Sequence, residues 1–464
     1  MTQTALQAEA RAIGGSAGAF NEDLHAAFTA LGIPQGQITE RMNAQTGLTS
    51  GAFAKLLRDG LGALNLDFAA GPWNTGITFT RSTTATYTNS AGLIASAAID
   101  APRIDYDPVT LACKGLLIEE ARTNLLIRSQ EADSASWTKL ATSITANAAT
   151  APDGTTTADY VYNDGTTGFH QDSQAVTGVL ATSYVLSRYV KAAEHTRYRL
   201  AGLSSANWTV HPAGVFDLSA GSVVSSTGDK TATIESAGNG WYRVEIYGTC
   251  ATATSIGLAG GPVPTGLTAN SYNGTTYPGG VYVWGASLEQ GSFSTSYIPT
   301  VASQVTRAAD VAVMTGTNFS SWYNQSEGTF VVEFSSFAST YASTAHVFST
   351  SAGAVGELAG VFRSAALGIS IESYSAGVAQ AGLSLGTNPI NTTAKVAYGY
   401  EVNDFAASRD GAAVVTDASG VVSAPSQINI GARYDSARSL SGHIRSLRYF
   451  PTHLPNATLQ AISA

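Results

Sequence analysis

The residues able to break bonds are few and poorly spaced for it. Gly14-Gly15-Ser16-Ala17-Gly18 fits the spacing of a nucleophile elbow. That motif works only where a buried strand runs into a helix and holds the serine in a strained turn. Ala10–Ile13 offers no such strand, and no Asp or His partner is placed by spacing, so the match is rejected. The seven histidines, among them His170, His195, His211 and His443, show no H-x-x-x-H or similar ligand pattern and read as surface or satisfied core imidazoles. Cys113 and Cys250 lie far apart without metal spacing, and both read as buried free thiols. Hydrolysis of a polysaccharide needs two carboxylates at a defined separation, and no glutamate here lies in a compelling loop motif. Calcium needs converging oxygens. Asp404, Asp410, Asp417 and Asp435 are dispersed and close to turns, so solvated turn aspartates are the reading. No catalytic residue, metal or cofactor is expected.

Recognition chemistry has better material. Sugars are held by aromatic faces laid on the apolar C–H faces of pyranose rings, with amides and carboxylates on the hydroxyls. The candidates must therefore be aromatics in loops or on a solvent face. Trp208, between Asn207 and Thr209 and ahead of His211-Pro212, has a loop-like setting. Tyr272, Asn273 and Tyr277 lie in the turn-rich NSYNGTTYPGG segment, the most loop-like aromatic cluster in the chain. Scattered exposed aromatics are common without any ligand, so surface packing stands beside sugar binding for these four. Trp241 and Trp284 fall inside strand patterns and read as core.

Positioning such residues requires folded domains. At 464 residues the chain has room for two to four of them. Hydrophobic residues at 44% suffice for real cores and exclude a disordered chain. Charged residues make up only 12%, with Gly, Ala, Ser and Thr in their place, which suits tight turns and neutral strands. A net charge of −9 argues against a phosphate-binding surface, so no nucleic-acid partner is expected. No window approaches the roughly 20 apolar residues of a membrane helix, and the first residues carry neither a basic n-region nor an apolar core, so neither membrane nor signal peptide is expected.

Along the chain the hydrophobic period changes. Leu24, Phe28 and Leu31 recur at helical spacing before Gly32 and Pro34, and Phe53, Leu56, Leu57 and Leu61 form a second stripe. Two short amphipathic helices are marginal alone, so their faces must dock. The surface covered is either the following β-domain or a partner, and Leu24, Phe28, Leu31, Phe53 and Leu57 are the residues an anchor would use. From Ile77 to Leu126 the pattern is β-rich, with a turn at Asn89-Ser90-Ala91-Gly92 and one charge-balanced patch of Asp105, Asp107, Glu119, Glu120 and Arg122. Such a patch more often locks a turn onto a sheet than performs chemistry. Residues 129–300 show strand candidates at short intervals, the clearest in Tyr242-Arg243-Val244-Glu245-Ile246, and read as a jelly-roll sandwich. Residues 305–464 read as a second sandwich, with Asp410-Gly411 as a hairpin turn between Phe405–Arg409 and Ala412–Thr416 and a short last helix capped by Asn456.

The order ITFTR, ATY, turn, PRIDYDPVT, GLLIEEARTNLL resembles the linker module of bacteriophage fibre proteins, the head-spike and tail fibres of tailed phages and gene transfer agents. SYVLSRYVKAAEHTRYRL, GNGWYRVEI and VYVWGASLEQGSFSTSYIPT are similar to their carbohydrate-binding-module-like domain, and the units after Val305 resemble a concanavalin A/laminin G-like lectin fold. The fold implied is mainly β: a short N-terminal α-helical anchor, then two antiparallel β-sandwiches, jelly roll and concanavalin A-like. Its parts are an anchor or oligomerisation segment over 1–65, a linker module over 66–128, and sandwiches over 129–304 and 305–464. What the resemblance implies is a non-enzymatic spike or fibre. It would be made in the bacterial cytoplasm, joined to a virion base, capsid or tail protein through its N-terminus, and exposed on the particle. Its outward partner would be host surface polysaccharide, and a symmetric homo-oligomer is the expected state. The alternatives are a structural spacer whose receptor site sits on another chain, and a polysaccharide depolymerase.

Overall fold

Period-two alternation of apolar with small polar residues makes antiparallel strand of nearly every regular segment. The computed structural model describes residues 63–70, 76–252, 255–339, 341, 343–435 and 437–464. The proposed anchor, with Leu24, Phe28, Leu31, Phe53 and Leu57, lies outside the described residues. The expected mainly-β class of antiparallel sandwiches is the one observed.

The first sandwich packs two six-stranded sheets. Sheet I runs Thr233–Gly238, Trp241–Thr249, Ser183–Ala192, Gly280–Gln290, Ala158–Asn163 and Thr142–Ala149. Sheet II runs Ser222–Thr227, Ala213–Asp217, Arg197–Gly202, Ser255–Val263, Gln171–Thr177 and Thr138–Leu140. Leu186, Val190, Leu200, Phe216, Val244 and Ile246 meet between them. The alternation read in Tyr242–Ile246 sends Val244 and Ile246 inward and leaves Arg243 and Glu245 on the opposite face. Strands such as Thr142–Ala149 and Ser222–Thr227 escape the sequence reading because their threonines, serines and alanines carry little apolar period.

The second sandwich has an eight-stranded sheet III and a seven-stranded sheet IV. Its core includes Phe330, Phe348, Ile371, Tyr398, Ile430 and Leu447. Its strands are not all downstream of the first sandwich. Leu64–Asp67, Ile104–Tyr106 and Cys113–Ile118 belong to sheet III, and Thr78–Thr80 pairs with Val311–Thr315 in sheet IV. The segment read as a linker module over 66–128 thus supplies four strands or parts of strands to this fold. The physical reason is pairing across more than 200 residues, which no local pattern announces. The first sandwich sits as an excursion between those strands and the rest, and its entering and leaving ends pair as Arg122–Asn124 with Val305–Arg307.

A buried ionic cluster closes this excursion. Arg81 pairs with Asp310 at 2.8 Å, Arg103 with Glu119 at 2.7 Å and also with Asp310, and Arg307 with Glu119 at 2.7 Å. All five side chains are almost wholly excluded from solvent. Ser296, from the segment leaving the first sandwich, donates to Glu119 through its backbone N–H and its hydroxyl, both at 2.7 Å. Backbone groups join the cluster: Arg103 donates to Thr86 O, Arg81 to Ala98 O, and Asp310 accepts the Glu119 N–H, while Nε of Arg103 and of Arg307 is buried without a partner. Asn124 completes the clamp, donating to Ala286 O and Ile298 O and accepting from Leu126 N and Leu288 N. The charge patch thus acts structurally. Asp105 takes the same part by pairing with His443 at 2.9 Å, and Asp107 by capping the turn at Val109 and Thr110.

Two local readings are corrected. Asp410 and Gly411 both adopt positive φ, 50° and 73°, as a tight turn requires. The returning strand, however, starts at Val415 rather than Ala412, because the Asp410 carboxylate is drawn to Lys395 N–H at 2.8 Å and Gly411 N–H to Ser463 Oγ at 3.2 Å. The last helix spans Asn456–Ser463 with Pro455 at its N-cap, so Asn456 is its first residue and makes no side-chain cap. Cys250 is a buried free thiol as expected, whereas Cys113 is only half-buried at the start of its strand. Among the described residues no helix is long and apolar enough to cross a membrane.

Burial acts against ionisation of Glu119, but Arg307 and Arg103 outweigh it and hold its pKa at about 2, below the ordinary 4.5. The unfolded chain therefore takes up this proton first as pH falls. The stabilisation is complete above about pH 4.5, is lost as pH drops toward 2, and is worth on the order of 3 kcal/mol. Glu119→Gln should remove that acid-limb dependence from a urea-midpoint-versus-pH profile. It should also cost about 3–5 kcal/mol at neutral pH, because it leaves buried Arg307 without its carboxylate and Arg103 with Asp310 alone. His346 behaves in the same sense at a higher window. Burial, reinforced by Arg433 and Arg438, pushes its imidazole down to about 3 from 6.5, so it is neutral in the fold. Its contribution is whole above about pH 6.5 and falls by about 2 kcal/mol by pH 5; His346→Asn should flatten the profile between those values.

Candidate functional site

Sheet I turns one face to the core and the other outward. On Ala158–Asn163, Val161 points inward, so Tyr160 and Tyr162 stand on the outer face; on Gly280–Gln290, Val281 and Val283 point inward and Tyr282 stands outward. Register then puts these side chains in a row. Thr145, Tyr160, Tyr282 and Lys191 are directly opposite one another across four adjacent strands, and Tyr162 follows one step along. At about 4.8 Å between strands the row spans about 14 Å. Tyr160 and Tyr162 are stacked at 5.0 Å between centroids with 16° between planes, and Tyr282 meets Tyr160 at 5.5 Å and 49°. All three rings are half-buried. They rest beside a secondary apolar cluster of Trp241, Trp284, Tyr189 and Tyr297, which stiffens the sheet beneath them.

A carboxylate borders the row. Tyr160 donates its hydroxyl to Glu194, and the same carboxylate oxygen accepts Gly280 N–H at 3.3 Å. The Tyr160 hydrogen bond, foremost, holds Glu194 below the usual carboxylate range, while burial and the Glu194 contact push the Tyr160 phenol above its ordinary value. Tyr160 is therefore a neutral donor with its ring orientation pinned, and Glu194 is an ionised acceptor open to solvent. Lys191 supplies a cation at the other end of the row. Together they make a flat aromatic shelf with an acceptor and a donor at its margins, suited to ring-stacking and hydroxyl recognition. They do not make a cleft with opposed acids.

The residues chosen from sequence fall partly at this corner. Asn163 ties the strand of Tyr160 to the Tyr277 loop, donating to Tyr277 O at 2.8 Å and Gly279 O at 3.0 Å. Tyr277 is 39% exposed and lies edge-on to Tyr272 at 6.2 Å. Tyr272, expected in an open loop, is instead buried. Its strand Ser271–Asn273 pairs with Thr167–Phe169, and its ring lies 4.1 Å from His170. Burial raises its phenol to about 12. Asn273 is exposed, but its Oδ1 accepts Thr275 N–H and Thr276 N–H and so serves the turn. Trp208 is a plain correction: it is 4% exposed. Its indole fills a slot where a Cβ on Gly202 or Gly248 would lie 2.7 or 2.8 Å from the ring, and its Nε1 donates to Leu203 O at 2.9 Å. The polar flanks of Trp208 mimic a loop; of the two glycines that admit the ring, Gly248 is distant in sequence. Trp241 and Trp284 are buried, as read.

The tyrosine row itself was missed. Its signal was present in the alternation of Ala158–Tyr162 and Gly280–Trp284, which places Tyr160 with Tyr162 on one face and Tyr282 opposite Val281 and Val283. Which face met solvent could not be decided until the partner sheet was known.

No protein-family model matches this chain, and no curated protein matches it. Solved structures do. The CBM40 domain of Ruminococcus gnavus IT-sialidase, bound to α2,3-sialyllactose, is similar over 32% of this chain and 88% of its own, at 13% identity and a TM-score of 0.28. Domains LG4-5 of the mouse laminin α1 chain match 63% of this chain and 88% of theirs, at 9% identity and 0.22. Trypanosoma rangeli sialidase matches 66% of this chain and 60% of its own, at 11% identity and 0.27. Likenesses this distant carry no functional weight. The class defined by the chain's own strands is that of a two-sandwich antiparallel β-protein.

Trp208→Ala should cost about 3–5 kcal/mol by emptying its slot. Measured by chemical denaturation, this change should be far larger than that of Tyr277→Ala, whose side chain is 39% exposed; equal losses would contradict the placement of both.

Proposed function

We propose that the protein binds glycan without cleaving it, through the outer face of sheet I, with Tyr160, Tyr162 and Tyr282 as the stacking shelf and Glu194 and Lys191 as hydroxyl partners. The observation that carries this reading is the cross-strand pair Tyr160–Tyr282 with Tyr162 stacked beside Tyr160, three half-buried rings with an ionised, solvent-facing carboxylate at their margin. The row in which the rings stand, from Thr145 to Lys191 and about 14 Å long, suits several sugar units of a chain better than one ring. Tyr277 borders the same corner and is the residue of the sequence-based set that retains a place in it.

The wider setting extends this reading. A low-charge, hydroxyl-rich chain and the fibre-like order of its segments favour a virion spike or fibre of a tailed phage or gene transfer agent, displayed on the particle and adsorbing to capsular polysaccharide of the host. The residues ahead of the Leu64–Asp67 strand would join it to its virion partner. Shallow sites suffice there, since multivalency can raise affinity by about 10²–10⁴ without better contacts.

Purified protein should be retained by encapsulated cells and not by capsule-lacking ones. Tyr160→Ala or Tyr282→Ala should weaken retention on immobilised polysaccharide about 3- to 10-fold per ring, because one aromatic contact is worth about 0.5–1.5 kcal/mol. Equal retention by both kinds of cell, or unchanged binding in the double variant, would defeat the reading. New reducing ends on incubation with the polysaccharide would replace it with a depolymerase.

A further inference from the structure

The outer face of sheet III carries a row of acids. Glu327 is directly opposite Glu401, and Glu401 is directly opposite Asp404, on three adjacent strands. Phe330, Val396, Tyr400 and Phe405 on those strands point into the core, so all three carboxylates stand on the other side of the sheet. Like charges placed opposite one another across strands are destabilising. Among the described residues no Lys or Arg forms an ion pair with any of the three; the charged contact of this row is His453, whose Nε2 lies 3.9 Å from Asp404 Oδ1.

His453 is the second observation. Its side chain is 9% exposed, and Nε2 is buried with no hydrogen-bond partner. The ring is held by position rather than by polar contacts of its own. Its backbone N–H donates to Glu327 Oε2 at 2.8 Å, and on either side Thr329 Oγ1 donates to Thr452 O and accepts from Leu454 N, both at 2.9 Å. Beneath it Gly399 leaves room: a Cβ there would sit 2.8 Å from Nε2. The segment before the last helix is thus fastened so that an unsatisfied imidazole nitrogen faces two open carboxylates. One ligand atom each from Glu401, Asp404 and His453 lies within 4.8 Å of the others.

We infer that Glu401, Asp404 and His453 form a binding site for a first-row divalent cation of the Zn²⁺ type. A separation of 3.9 Å is too long for a hydrogen bond. It suits two ligand atoms that share a cation about 2.0–2.2 Å from each. One imidazole and two carboxylates favour Zn²⁺ over Ca²⁺, which prefers an all-oxygen shell of six to eight ligands. Three protein ligands leave a coordination position for water or an outside donor. The cation would relieve the repulsion along the row and clip the Val402–Asn403 turn to the segment ahead of the C-terminal helix. Glu327 would fix the backbone of His453 from behind.

The test uses the full chain, freed of metal with EDTA and dialysed. Calorimetric titration with ZnCl₂ should give one saturable site per chain, and CaCl₂ should give none of comparable affinity. Glu401→Gln, at an exposed position that leaves the fold intact, should weaken Zn²⁺ binding at least 10-fold, and His453→Ala should abolish it. Zn²⁺ should raise the melting temperature of the unsubstituted protein and not of Glu401→Gln, as expected for a ligand of the native state. No saturable Zn²⁺ binding, preference for Ca²⁺, or equal binding by Glu401→Gln and the parent chain would each overturn the assignment.

Discussion

Five buried charges hold this molecule in one piece. Arg81, Arg103 and Arg307 surround Glu119 and Asp310, and the five come from two stretches of the chain, before and after the first sandwich. Taking such groups out of water costs several kcal/mol each. The cluster offsets that cost by giving its carboxylates several donors at once, through Ser296, the Glu119 N–H and the arginines. Its consequence is geometric. The chain leaves the second sandwich, builds the first, and returns to within hydrogen-bonding distance of its point of departure. The two strand ends at that crossing, Arg122–Asn124 and Val305–Arg307, then pair.

Direct contacts reinforce the junction. Phe293 lies against Phe337 at 6.1 Å, Arg122 stacks over Phe293, and Lys230 of the first sandwich donates to Ser339 of the second. The outer face of sheet I is thereby divided. Arg243, Glu245 and Glu289 at one end are committed to the segment that returns toward the second sandwich, while Tyr160, Tyr162 and Tyr282 at the other end stay open. The junction therefore decides which part of a sheet surface remains available to a ligand.

Much of this was legible in the residues. Short alternating runs with glycine and asparagine turns announced antiparallel sandwiches, and most strands of the first one lie where the alternation put them. The patch around Glu119 was correctly read as structural. Failures came where local context imitates something else. Trp208 has the polar neighbours of a loop residue yet fills a slot made by Gly202 and Gly248. Tyr272 sits in a turn-rich segment yet lies against His170. Conversely Tyr160, Tyr162 and Tyr282 looked like ordinary strand residues.

By itself, then, the sequence determined the strand period, the turns and the low charge of the chain, because each of these depends only on residue type and on neighbours one to four positions away. Tertiary structure decided which face of each strand meets solvent, which distant strands share a sheet, and which carboxylates stand opposite one another. Those outcomes rest on contacts between residues as far apart as Asp105 and His443, and a one-residue change of register would turn each outward side chain to the opposite face.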